Sequence, residues 1–114
     1  VVGSMISFDE HECALMYIPA DTTMEIENHL ITNGMNKEGM GMMAKEILGV
    51  PLTLMTECSH EYNDVLEVVV YHLGQDGRLP LNMRATAGLQ QGFGVPNEWE
   101  GDIVIGFSSV ELVA

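Results

Sequence analysis

Residues 65 to 85, VLEVVVYHLGQDGRLPLNMRA, decide how the chain is read. The run Val65 to Leu73 is the most apolar in the sequence, but Glu67 and His72 interrupt it. It falls far short of the roughly 20 apolar residues of a membrane-spanning helix, so it reads as a buried strand. Gly74-Gln75-Asp76-Gly77 follows, and Asp-Gly readily takes the positive φ angles of a tight turn. Beyond it Leu79, Leu81, Met83 and Ala85 alternate with Pro80, Asn82 and Arg84, the period of a half-buried strand. The stretch predicts a hairpin at the centre of a sheet, with Val68, Val70, Leu81 and Met83 turned inward.

Upstream, Glu57 to Asp64 is polar and reads as a loop or a single helical turn. Val50, Leu52 and Leu54 alternate with Pro51, Thr53 and Met55, a strand that needs Pro51 at a first or edge position. Met40, Met43, Ala44, Ile47 and Leu48 carry the clearest helical period, closed by Gly49 and Pro51. Gly39 and Gly41 weaken the start of that helix by about 1 kcal/mol each relative to Ala. Thr22 and Glu25 have capping-box spacing and Asn33-Gly34 supplies a stop, which predicts a helix over 23–32. Before it, residues 11–18 suit a strand with Cys13, Leu15 and Tyr17 on one face, ended by Pro19. Downstream, residues 86–101 hold four glycines and Pro96 and read as a long loop. In residues 102–113, Ile103, Ile105 and Phe107 share one parity and Val110 and Leu112 the other, so the final strand needs a β-bulge at Ser108-Ser109. The order β-α-α-β-β-β-β predicts an α+β fold: a small antiparallel or mixed sheet of about five strands with two helices packed on one face.

At 114 residues, with 46% apolar residues and a mean hydropathy of +0.14, the chain suits one globular domain over 1–114. Residues 1–4 read as a cloning remnant, because Gly3-Ser4 precedes Met5, and the first residues lack the basic and long apolar regions of a secretory signal. Two cysteines are too few for a disulfide scaffold, which suits reduced thiols in the cytoplasm. Seventeen Asp and Glu against four Lys and Arg give a net charge of -13, which disfavours direct contact with nucleic acid or an anionic membrane. Residues 1–36 hold six acids and residues 85–114 four, with no Lys or Arg in either; brought together they would make a face of one sign.

Two mirrored pairs, His11 with Cys13 and Cys58 with His60, offer four ligands of the kind tetrahedral zinc takes. The one-residue spacing is not that of a zinc knuckle, and buried cysteines with surface histidines need no metal. No metal or cofactor is expected. The methionines Met35, Met40, Met42 and Met43 suit a core stripe or a partner-binding patch better than copper ligation. Cys58, Ser59, His60, Glu61 and Asp64 contain the residue types of a nucleophilic site, and His72 could approach them from a strand end, although neighbouring side chains diverge and a solvated loop is the plainer account. The segment 88–94 has neither the Lys-Ser/Thr of a P-loop nor a dinucleotide fingerprint, and the acids do not follow the EF-hand pattern.

Trp99 lies between Glu98 and Glu100, just ahead of Asp102. An aromatic ringed by carboxylates has the make-up of an interface anchor, and a Trp closing the core from a loop is the competing account. Asp9, Glu10 and Glu12 extend that face if the first and last strands are neighbours. Two functions are therefore expected from different classes. The first is a non-catalytic acidic module that binds a basic protein surface through Trp99, Glu98, Glu100, Asp102, Asp9, Glu10 and Glu12, as an inhibitor or nucleic-acid mimic. The second is a small metal-dependent or thiol enzyme using His11, Cys13, Cys58, His60 and His72.

Overall fold

A computed structural model describes residues 13–31, 37–63 and 66–109. Five strands form one antiparallel sheet: β1 (Cys13–Ile18), β2 (Glu27–Ile31), β3 (Thr56–Asn63), β4 (Leu66–His72) and β5 (Ile103–Ser109), ordered β2-β1-β5-β4-β3. Helix α1 (Lys37–Leu48) follows β2, and helix α2 (Met83–Phe93) follows β4. The fold is thus α+β, with the order β-β-α-β-β-α-β.

The helices do not share a face. Val68, Val70, Ile103, Ile105 and Phe107 pack with Ala85 and Leu89 of α2, whereas Leu15, Val69, Tyr71 and Val104 pack with Met40 and Ala44 of α1. Successive strand residues point to opposite faces. The apolar stretches Val68 to Tyr71 of β4 and Ile103 to Phe107 of β5 are those of strands covered on both sides.

Several expected elements change. Among the described residues, 23–31 form no helix, and residue 32 lies outside them. Asp21 Oδ1 accepts from Thr23 N at 2.9 Å and Thr23 Oγ1 at 2.7 Å, and Met24 N donates to Asp21 O at 3.1 Å. This turn reverses the chain into β2, because a polar side chain that can cap a helix can equally close a turn. Residues 52–54 make a 3-10 turn after Pro51, closed by Leu54 N donating to Pro51 O at 2.9 Å. The partner of β4 in the hairpin is β3, the stretch expected to be a loop. Residues 80–82 instead run beside 99–101: Asn82 N donates to Trp99 O and Gly101 N to Pro80 O, both at 2.7 Å. Leu81 and Met83 are consequently exposed.

Half of the expected loop at 86–101, residues 86–93, belongs to α2. Asn82 caps it, its Oδ1 accepting from Ala85 N at 3.0 Å, and Gly94 ends it at φ 70°, with Gly94 N donating to Gln90 O and Val95 N to Leu89 O. Such paired bonds satisfy carbonyls that a helix end leaves open. The expected bulge at Ser108-Ser109 is absent, since the pairing of β5 with β1 and β4 keeps its register to those residues; Val110 and Leu112 lie outside the described residues.

Candidate functional site

The β1–β5 pairing makes the first and last strands neighbours, while Asp9, Glu10 and Glu12 lie outside the described residues. Trp99 is 2% exposed and belongs to the core under α2. Its backbone N donates to Thr86 Oγ1 at 2.9 Å, and its ring centroid stands 5.1 Å from that of His72. The indole offers no exposed surface to a partner; the anchor expected from the sequence is a core residue.

The acids around Trp99 divide. Glu98 is exposed. Glu100 Oε1 accepts from Gly77 N at 2.8 Å, and the Glu100 backbone is clasped by the Gln75 amide, which accepts from Glu100 N at 2.7 Å and donates to Glu100 O at 3.0 Å. Asp102 accepts from Ala20 N at 2.9 Å and from the Tyr17 hydroxyl at 3.3 Å. Partial burial, followed by the field of Asp102, raises the Tyr17 phenol above its ordinary range. Glu100 and Asp102 therefore hold loops to the sheet.

The mirrored His/Cys pairs do not meet. Cys13 faces α1 beside Leu15, while Cys58, paired with Val70, faces α2. Their strands lie three positions apart in the sheet, about 14 Å at ordinary strand spacing, so Cys13 and Cys58 cannot share one ion. His11 lies outside the described residues. Among the described residues no group of three His, Cys, Asp or Glu side chains could hold a metal.

A different pair forms. Cys58 Sγ and His72 Nε2 are 3.4 Å apart, on adjacent antiparallel strands and the same face. On the other side of the ring, Nδ1 reaches the carbonyl of Leu73. A carbonyl can only accept, so the hydrogen-bond network assigns the proton to Nδ1 and leaves the Nε2 lone pair for the thiol S–H. His72 is 7% exposed, Cys58 is partly exposed on edge strand β3, and Cys13 is 2% exposed. His60 lies on the same face as Cys58, two residues along β3. The pair can pass a proton from sulfur to nitrogen. The sequence placed His72 near this stretch but read Cys58 to His60 as loop; the signal available was the same-parity set Cys58, His60, Tyr62.

At the far edge, Met24 and Ile26 precede β2 and Leu30 lies within it, with exposures of 48%, 41% and 63%. Glu25 and Glu27 are exposed between and beside them. Arg84, from the first turn of α2, donates to the carbonyls of Met24, Asp21 and Pro19 at 2.8, 3.0 and 2.7 Å, fixing that loop against the helix.

No family model matches the chain, and no curated protein matches it in sequence. Over 91% of its length it is similar in structure to part of a crystal structure described as small RNA methyltransferase HEN1, with a TM-score of 0.53 and 16% identity. The chain spans 14% of that chain, and likeness at this identity is one of fold alone.

Proposed function

We propose that this chain is a non-catalytic acidic module that docks on a basic surface of a partner protein, as an inhibitor or nucleic-acid mimic does. The observation that carries the reading is the disposition of charge. Arg84 donates from Nη1 and Nη2 to backbone carbonyls and Arg78 lies 3.4 Å from Asp76, whereas Glu25, Glu27, Glu38, Glu46, Glu57, Glu61 and Glu98 are exposed. A surface so dominated by one sign, on a chain of net charge -13, speeds encounter with cationic surfaces and repels phosphate backbones.

Charge alone discriminates poorly between partners, so an apolar anchor is needed. With Trp99 in the core, the residues suited to that role are Met24, Ile26 and Leu30, rimmed by Glu25 and Glu27. No helix among the described residues is long and apolar enough to cross a membrane. Free thiols on opposite faces of the sheet suit a reducing compartment such as the cytoplasm.

The test is capture of partners at low and high salt with the unaltered chain, with Glu25→Lys/Glu27→Lys and with Leu30→Ser, alongside titration with DNA and RNA. A basic protein retained at low salt, weakened by either variant and by added salt, supports the reading. Partners indifferent to both salt and charge reversal, no partner at all, or tight nucleic-acid binding would overturn it.

A further inference from the structure

We propose that Cys58 is a thiol–disulfide exchange site, with His72 as its base and a small uncharged or cationic disulfide as its reagent. This stands independently of the docking reading. Three observations converge on it. Sγ of Cys58 lies 3.4 Å from Nε2 of His72, and the bond from Nδ1 to the Leu73 carbonyl leaves that nitrogen as the acceptor. Cys58 is partly exposed on edge strand β3, where a reagent can reach it, whereas Cys13 is 2% exposed and burial raises its thiol pKa. Two buried nitrogens on this face lack a hydrogen-bond partner: Nε1 of Trp99, whose ring lies against His72, and Nε2 of His60, two residues along β3 from Cys58. A buried polar group left unpaired is costly, and a polar adduct held at Cys58 would offer these nitrogens a partner.

The choice of reagent follows from chemistry. Attack on a disulfide sulfur expels a thiolate through a mixed disulfide and develops no oxyanion, so a nucleophile and a base suffice. Acyl transfer demands donors for an oxyanion as well. The proton of Cys58 passes to His72 Nε2 and Sγ attacks one sulfur of the reagent. The new S–S bond forms as the reagent's own bond breaks, and the departing thiolate takes the proton from His72. Cys58 is oxidised and the released half of the reagent is reduced. A net charge of -13 selects against anionic disulfides. Cys13, on the opposite face, cannot resolve the adduct, which persists until an external thiol removes it.

Intact-mass and peptide mass spectrometry of the full chain treated with cystamine tests this, with the same chain in urea and His72→Gln as references. The expected result is one adduct, on Cys58, formed at least about tenfold faster than in urea or in His72→Gln. It should form faster than with oxidised glutathione and be reversed by dithiothreitol. Trp99, the single tryptophan, should change its emission at the rate of adduct formation. Should His72→Gln fail to fold, the comparison of native with unfolded chain decides alone. Modification of Cys13 at an equal rate, a native rate no faster than in urea, or an unchanged rate in folded His72→Gln would overturn the proposal.

Discussion

The ring of Tyr71 lies directly over the backbone of Gly106: a Cβ added to that glycine would stand 3.0 Å from Tyr71 Cε2 and 3.2 Å from Leu15 Cδ2. Neighbouring central strands β4 and β5 thus use an absent side chain to seat an aromatic beneath α1. Gly106→Ala should destabilise the fold by about 1–3 kcal/mol, because the ring and Leu15 are both packed and neither moves freely. Urea unfolding with an unchanged slope and a lower midpoint is the expected result. A midpoint equal to that of the unaltered chain would show that the ring has room to move.

Tyr71 carries a second consequence. Its hydroxyl is buried without a partner, and burial, reinforced by Glu57, Cys13 and Glu67, pushes its pKa far above the ordinary tyrosine range. A folded-state pKa raised above the unfolded value gives stability that is complete below about pH 10 and is lost as pH rises beyond it. Tyr71→Phe should therefore gain about 1 kcal/mol at neutral pH by removing an unpaired polar atom. It should also retain more stability than the parent above about pH 10. Cys13 and Tyr17, both raised chiefly by burial, leave some alkaline loss in the variant. Unfolding midpoints measured at neutral and alkaline pH check both halves, and parallel pH curves would refute the second.

Asn82 is 0% exposed and ties three parts of the chain together. Its Oδ1 caps α2, while Nδ2 donates to the carbonyls of Ile18 and Gly101, both at 2.8 Å. Asn82→Ala should cost about 2–4 kcal/mol, from the lost cap and the carbonyls left unpaired. Asn82→Asp keeps the cap but loses both donors and sets a charge against two carbonyl oxygens, so at neutral pH it should melt no higher than the alanine variant. Thermal unfolding of both variants decides it.

These residues also show where the sequence could be read and where it could not. The stripe Met40, Met43, Ala44, Ile47, Leu48 appears as α1 because each of those side chains meets the sheet. Helix α2 escaped because its glycines hide the spacing of Ala85, Leu89 and Phe93, although Asn82 and Gly94 were cap signals at its two ends. Strand β3 escaped because an edge strand presents one face to water: Glu57, Ser59 and Glu61 alternate with Cys58, His60 and Tyr62, and the polar set dominates its composition. Thr22 and Glu25 misled because local hydrogen bonding serves a turn as well as a helix start. For the site, the residue types Cys58 and His72 were visible. Their contact depends on the β3–β4 register, which no local pattern specifies.

The carboxylates near Trp99 allow folding and docking to be separated. Glu98 is exposed and makes no hydrogen bond or ion pair among the described residues, whereas Asp102 accepts from Ala20 N and the Tyr17 hydroxyl. Glu98→Lys should change stability by no more than about 0.5 kcal/mol, as surface substitutions away from such features do. Asp102→Lys removes the acceptor of a backbone N–H at the β1 exit and should cost about 1–3 kcal/mol. If the chain docks by charge, both variants weaken capture of a basic partner, but only Asp102→Lys also lowers the melting temperature. Asp102→Asn keeps an acceptor for Ala20 N while removing the charge, so it should recover stability without recovering the full salt dependence of binding. Equal melting temperatures for Glu98→Lys and Asp102→Lys would show that the Asp102 bonds contribute nothing to the fold. Full binding by Glu98→Lys, beside weakened binding by Glu25→Lys/Glu27→Lys, would confine the docking face to the Met24 to Leu30 edge; full binding by all of them would remove the electrostatic reading.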